Sequence, residues 1–494
     1  MSKPKAIERV KNFSLVVLFL STVLLLYFFW GNISFDGLKT PAEQTAGDPP
    51  DTVKMLVPSQ IIVNFGAENY TVLPPGELWQ NLTDRDSFVE ELARFGPVEN
   101  VLVEEITYEQ YRQVREFRSI WAEFDYDIPF ADFCSSFHMK KPQSYDVIES
   151  VTKIGYSTAE KGDSLYVVDG KAQKTFRIVA AATKDSINKT GNTEFPAFID
   201  SIEANGYPAY YPISSYLGVS NNTLVPLSVE ANLQSFSFLQ DTYSYQTEKI
   251  NTMAERFFGG NFDFVRRIVE ESGTVIYMYG YGQNVLIVNT DGSMEYKEEQ
   301  VSGITDQSFS GALETAVKFV ADHGSWKSLE GAEMTPYLKD VIPDPNGRKG
   351  YRFLFGMEIN GTRLHYEKGA PIVIDVTSGQ VTYYKRHLID FDEDDIKVIE
   401  TASGEEAFSA VNLIAQNYKY IYDILLQAGE VKATADQAAM FEKVASLVNK
   451  MEIGYVKLAD PKVTEIQPAW ILTVYDTDVY FNLYSADPIG YSRE

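Results

Sequence analysis

Along its length the chain sorts into one long apolar run followed by many short segments, some with helical spacing and others alternating. From Phe13 to Trp30 no residue is charged. Those 18 residues would rise about 27 Å as a helix, enough for a bilayer core. Beyond them GNISFDGLKTPAEQTAGDPP (31–50) has turn-forming composition and reads as a linker. SQIIVNFG (59–66) is the first strand-like stretch. Thr83-Asp84-Arg85-Asp86 opens a helical pattern near SFVEELARFG that Gly96-Pro97 stops, and TYEQYRQVREF (107–117) is a second. SIWAEFDYDIPF, DSLYVVDG and KTFRIVAAAT read as strands, with a hairpin over 163–183 turning at Asp169-Gly170. YPAYYPISSYLG and NNTLVPLSVEAN (207–232) are extended and broken by proline.

From about residue 235 the text becomes repetitive. TEKINTMAERFF and NFDFVRRIVEE read as helices separated by Gly259-Gly260, followed by two or three strands that include IVNTDGSMEY (287–296). SGALETAVKFVADHG places Leu313, Ala316, Val317 and Val320 on one helical stripe. YRFLFGMEINGTRLHY predicts a hairpin turned at Asn360-Gly361, and VIDVTSGQVTYY (373–384) nearly rewrites the earlier hairpin. A third round occupies 404–484. It has a helix SGEEAFSAVNLIAQNY with Phe408, Val411, Ala415 and Tyr418 on its apolar stripe, a helix ADQAAMFEKVASLVNK, and strands MEIGYVKL and QPAWILTVYDTDVYFNLYSADPIG. Each round predicts a helix lying on an antiparallel sheet.

The predicted fold class is therefore α+β: a single N-terminal transmembrane helix and a multi-domain ectodomain of helix-on-antiparallel-sheet modules. The expected divisions are a cytoplasmic tail over 1–12, a transmembrane helix over 13–30, a linker over 31–55, an N-terminal α+β domain over 56–232, a middle helix and hairpin domain over 233–390, and a C-terminal domain over 391–494.

Charge sharpens the topology. Lys3, Lys5, Arg9 and Lys11 against Glu8 give residues 1–30 a net +3; with −26 for the whole chain, residues 31–494 carry −29. Basic residues before the apolar run keep the N-terminus cytoplasmic, so the bulk is expected outside the cell membrane. The run is too long for a signal peptide and no small-x-small cleavage site follows it. Such acidity argues against nucleic acid as a partner. Ser14, Leu18, Ser21, Thr22 and Leu25 share one face of the membrane helix, where small polar residues permit close approach of another helix. That face is the candidate partner-binding site.

Candidate chemistry is sparse. Cys134 is the chain's one cysteine and reads as a small buried hydrophobe near Phe133 and Phe137. His138, His323, His365 and His387 form no HExxH pair, and His323 suits a helix C-terminus as a cation. Asp392 to Asp395 and Asp344-Pro345-Asn346-Gly347 lack the ligand spacing of an EF-hand. No GxSxG or phosphate loop is written. No catalytic residue, cofactor or metal site is assigned, and the chain reads as a non-enzyme.

The segments AERFFGGNFDFVRRI, LIVNTDGSMEYKEE, IWAEFDYDIPF, SLYVVDG and YPAYYP, in that order behind a single anchor, resemble the YycH family. The last hundred residues resemble the module that family shares with YycI, and the helix-plus-hairpin repeats are similar to PepSY-like domains. The resemblance implies a membrane-anchored regulator of a WalK-like sensor histidine kinase in cell-wall homeostasis of a Gram-positive bacterium. It implies that kinase and a YycI-like protein as partners, and no enzyme activity. A rival reading is an extracytoplasmic binding module for peptides or cell-wall fragments; a third is a wall hydrolase using a carboxylate pair.

Overall fold

A computed structural model describes residues 49–74, 76, 79, 101–137, 146–159, 164–180, 194–231, 233–238, 247–290, 293–299, 308–323, 326, 334–387, 396–399, 406–460 and 465–493. The expected membrane segment with Ser14, Leu18, Ser21, Thr22 and Leu25, the helix expected near 87–96, His138, the Asp291-Gly292 turn and the acidic run 390–395 lie outside them. Among the described residues no helix is long and apolar enough to cross a membrane.

The first sheet is antiparallel throughout. It comprises β1 (Gln60–Gly66), β2 (Asn69–Leu73), β3 (Val101–Ile106), β4 (Ser119–Pro129), β5 (Ser150–Ser157), β6 (Ser164–Asp169), β7 (Lys174–Ala180), β8 (Tyr210–Pro212) and β9 (Leu224–Pro226). Their order is β3-β7-β6-β5-β4-β1-β2-β8-β9. Helices α1 (Tyr108–Glu116), α2 (Phe130–Ser136) and α3 (Glu194–Ala204) accompany it. The capping signal of α1 works as written: Thr107 Oγ1 accepts from Gln110 N at 3.2 Å and Gln110 Oε1 accepts from Thr107 N at 2.8 Å. Of the hairpin expected over 163–183, residues 164–180 form it, with the turn at 170–173 between β6 and β7. Cys134 is buried in α2.

The second sheet begins with β10 (Ser235–Phe238) and continues through β11 (Arg266–Val269), β12 (Val275–Tyr279), β13 (Asn284–Val288), β14 (Met294–Glu298), β15 (Met334–Pro343), β16 (Gly350–Ile359), β17 (Thr362–Tyr366), β18 (Ile372–Thr377) and β19 (Gln380–Arg386). It ends with β20 (Ile396–Ile399), β21 (Val448–Lys457), β22 (Glu465–Val474), β23 (Thr477–Asn482) and β24 (Pro488–Arg493). Helices α4 (Thr247–Phe258) and α5 (Phe309–His323) belong to its first half, and α6 (Ala410–Gln427) and α7 (Gln437–Leu447) to its second. Phe353, Phe355 and Met357 alternate inward along β16, and Leu313, Ala316, Val317 and Val320 meet the same core from α5, as their helical spacing predicts.

The repeat has a geometric meaning. One unit runs α4-β11-β12-β13-β14 and the next α5-β15-β16-β18-β19. In the sheet they lie as β11-β12-β13-β14 facing β19-β18-β16-β15, with β14 and β19 paired antiparallel and Tyr296 opposite Tyr384. The two similar hairpins thus stand back to back across a pseudo-twofold axis. A bulge in the β18–β19 pairing turns Tyr384 inward to match Tyr296. The third round, α6-α7-β21-β22-β23-β24, joins through a parallel contact between β17 and β21. Two hairpins turn as expected of type I′: Asn360 and Gly361 have φ of 50° and 76°, Ser378 and Gly379 of 51° and 81°.

Three expectations fail. NFDFVRRIVEE is not a helix: Gly259, at φ 50°, ends α4, a 3-10 turn follows over Gly259–Phe264, and Arg266–Val269 pair with β12 instead. The helix expected from 403 starts at Ala410, with Ser409 as its N-cap. Its fully buried stripe is Leu413, Ile414, Asn417, Ile421 and Leu425; Val411, Tyr418 and, from before the helix, Phe408 pack half-buried against that core, and Ala415 is exposed. The larger aliphatic side chains set the inward face, because each buries more apolar area than alanine.

Candidate functional site

Two places concentrate unusual chemistry. The first is a buried charged joint where the two sheets meet. Arg363 projects from β17, and its Nη2 donates to Pro58 O at 2.9 Å, just before β1. Its guanidinium lies 4.6 Å from the Tyr337 ring on β15, and its Nε lies 3.8 Å from Glu358 on β16. The Tyr337 ring packs on Gly356, where an added Cβ would come within 2.3 Å of it. Along β21, Lys450 Nζ reaches Glu452 at 3.2 Å and Asp125 of β4 at 3.6 Å, while Glu452 stands 3.5 Å from His365 Nε2.

Desolvation dominates this joint. Burial pushes Glu358 above its ordinary carboxylate value; Arg363 opposes the shift and Glu452 adds to it. Burial acts the same way on Glu452, yet Lys450, His365 and Arg363 together outweigh it and hold that carboxyl down at about 2. His365 is pushed down to about 4 by burial, against the pull of Glu452. Burial raises Tyr337 and Tyr126 as well, which keeps both phenols protonated. Paired charges with neutral phenols fill the joint between the two sheets, and the half-exposed Asp125 stands at its rim.

The second place is an open groove of about 400 Å³ on the face of β14, β19, β18 and β16. At its floor the buried Asp375 takes two hydrogen bonds from Arg352, at 2.6 and 2.8 Å. Tyr383 is flanked by Arg352 and Lys297, at 5.6 and 5.8 Å from its ring. Glu295 and Thr382 also line it. A planar cation, an aromatic face and carboxylates in one concavity suit a polar, zwitterionic or peptide-like ligand.

The described histidines are dispersed. His365 sits in the joint. His323 closes α5, bonded through Nδ1 to Phe319 O at 2.8 Å and stacked on the Phe319 ring at 3.9 Å. Burial pushes its pKa below the ordinary value, which corrects the expectation of a cation serving the helix dipole. His387 follows β19. Asp344 adopts φ 49° and its Oδ1 accepts from Gly350 N at 3.2 Å, so Asp344 to Gly347 form a turn. Among the described residues no three His, Cys, Asp or Glu side chains converge as metal ligands. Sequence reasoning missed both the joint and the groove, because their members come from strands far apart in the chain.

A chain of helix-on-antiparallel-sheet units with a charged joint between its sheets defines an α+β protein of repeated-module architecture. Its fold is similar to the crystal structure of YycH from Bacillus subtilis, with a TM-score of 0.51 at 13% identity, covering 86% of this chain and 95% of that chain. A structure of an uncharacterized protein from Eubacterium rectale aligns at 12% identity over 55% of this chain and 82% of its own, with a TM-score of 0.29 that carries no argument. No protein-family model matches the sequence, and neither does any curated protein.

Proposed function

We propose that this chain is a non-enzymatic, membrane-anchored regulator of a WalK-like sensor histidine kinase, with its bulk outside the cell membrane and a YycI-like protein as partner. The observation that carries the reading is the fold correspondence with YycH over 86% of this chain and 95% of the other. The uncharged run 13–30 with its basic flank supports a single anchor, and Ser14, Leu18, Ser21, Thr22 and Leu25 form the face through which that helix would meet the kinase. The expected division into a tail, an anchor, a linker and three extracytoplasmic domains belongs to the same reading. The test replaces residues 13–30 of the full-length chain with an unrelated anchor in the native host. Co-purification of a sensor kinase with the native chain, reduced with the swapped one, is expected. Absence of any kinase with the native chain would sink the proposal.

The groove floored by Arg352 and Asp375 favours a second reading, a binding module for peptides or wall fragments. Calorimetric titration with muropeptides decides it: heat that disappears in Arg352→Ala supports this reading, and no heat removes it.

A further inference from the structure

Charge is laid out in order along the groove on β14, β19, β18 and β16. In its middle the charges cancel. Both oxygens of the buried Asp375 are taken by Nε and Nη2 of Arg352, and Glu295 meets Lys297 at 2.6 Å. Tyr383 stands between these two pairs, its ring flanked by Arg352 and Lys297 and its hydroxyl donating to Glu295. At the two ends the charges do not cancel. From the β16 side comes Arg348, exposed just after the turn Pro345–Gly347, with no carboxylate partner among the described residues. Nη1 of Arg352 is likewise unspent there. From the β14 side come Glu298 and the exposed Glu299. Glu298 accepts from the Tyr296 hydroxyl through Oε2 at 3.1 Å, and neither carboxylate meets a cation among the described residues.

The concavity therefore has a positive end, a negative end and a neutralised aromatic floor. A peptide with both termini free carries the matching charges, and a small one suits a volume of about 400 Å³. Sheet order sets its length. The Arg352 guanidinium reaches over β18 and β19, and β14 is the next strand. One to two strand spacings, about 5–10 Å, thus separate the ends, which is the span of about two or three extended residues. We propose, resting on the reading of the chain as a binding module, that this groove takes a short peptide by its two free termini, the carboxylate on Arg348 and Nη1 of Arg352 and the ammonium on Glu299 and Glu298.

The test titrates trialanine, N-acetyl-trialanine and trialanine amide calorimetrically into the full-length chain in mild detergent. Trialanine is expected to bind, and each cap to weaken it at least about tenfold, the worth of one charged contact. Arg348→Gln is expected to weaken trialanine and to bind the amide equally well. Glu299→Gln is expected to weaken it and to bind the acetylated form equally well. Both positions are exposed, and circular dichroism confirms that the variants fold. Trialanine binding that is indifferent to either cap overturns the proposal, as do variants that discriminate the caps as the native chain does. Heat from muropeptides with none from trialanine also overturns it and leaves the binding-module reading standing, whereas heat from neither removes both.

Discussion

The chain buries an arginine twice by one device, once inside a single sheet and once between two. In the first sheet Arg115 lies 5.4 Å from the Trp121 ring, and that ring packs on Gly155. In the joint Arg363 lies 4.6 Å from the Tyr337 ring, which packs on Gly356. Each glycine leaves room for an aromatic face, and each face carries a guanidinium. The carboxylates differ. Glu123 takes Arg115 at 2.9 Å and Lys153 and Gln60 at 3.0 Å each, all from α1 or neighbouring strands. Among the described residues Arg363 has no carboxylate closer than 3.8 Å, and the joint's other ion pairs run from 3.2 to 3.6 Å. Where one sheet's register places the partners, the pairs close tightly; where two sheets must be brought together, the charges balance at longer range.

The largest break falls on the joint. Arg363→Met removes the cation from among Glu358, Glu452 and Tyr337, and is expected to cost about 3–5 kcal/mol in urea unfolding, as for one-sided removal of a buried ion pair. Arg115→Met is expected to cost only about 1–2 kcal/mol, because Arg115 is 28% exposed and Lys153 and Gln60 remain on Glu123. Equal costs would mean that the two sites do not differ in kind.

The glycines rank the other way. Gly155→Ala drives a Cβ to 2.3 Å from a Trp121 ring wedged between Tyr111 and Tyr166. About 3 kcal/mol is expected there, against about 2 kcal/mol for Gly356→Ala at the phenolic end of Tyr337. Thermal melts of the two variants check the order, and a costlier Gly356→Ala reverses it.

Neither arginine site was legible in the sequence. Arg363 and its acceptor Pro58 are 305 residues apart, and no spacing rule joins them. What the text does carry is local: the capping box at Thr107, the Asn360-Gly361 turn, the stripe from Leu313 to Val320. Those signals act within one turn of chain, where backbone geometry dictates residue type. NFDFVRRIVEE misled because its apolar spacing suits a helix, while its strand state depends on β12 offering a ladder. A tertiary partner overrides weak propensity. The repeated hairpin was visible, but its back-to-back placement was not, since that is a property of pairing.

Acid separates the two sites. His365 is held at about 4 against an ordinary 6.5, so the unfolded chain takes up a proton over that window and the folded chain does not. The joint's stability is therefore whole above 6.5 and falls as pH drops towards 4. Glu123 and Glu452, both held at about 2, contribute stability that is present above 4.5 and lost only as pH falls below it. Between pH 6.5 and 4.5 His365 weakens the joint, Glu358, raised by burial, acts in the opposite sense, and the Glu123 site does neither. About 2 kcal/mol is expected to be lost across that window through His365. His365→Gln is expected to flatten that part of the slope; His323, also lowered by burial, keeps its own share in both proteins. A slope unchanged by the substitution would remove His365 from the account.

The smallest effect isolates a hydrogen-bonded tie between the two layers. Asp132 on α2 accepts through Oδ1 from Ser310 N at 3.0 Å and from Ser310 Oγ at 2.8 Å, so a residue of the first sheet's layer satisfies donors at the start of α5. Asp132→Ala is expected to cost about 1 kcal/mol, the usual worth of a helix cap. No histidine takes part in this tie, so the loss is expected to be the same at pH 7 and pH 5.5, where the loss caused by Arg363→Met changes with the protonation of its neighbours. If the cost of Asp132→Ala instead tracks pH as the Arg363 variant does, the cap and the charged cluster act as one unit, and the contrast between a long-range ionic joint and a local hydrogen-bonded clasp gives way to a single coupled network.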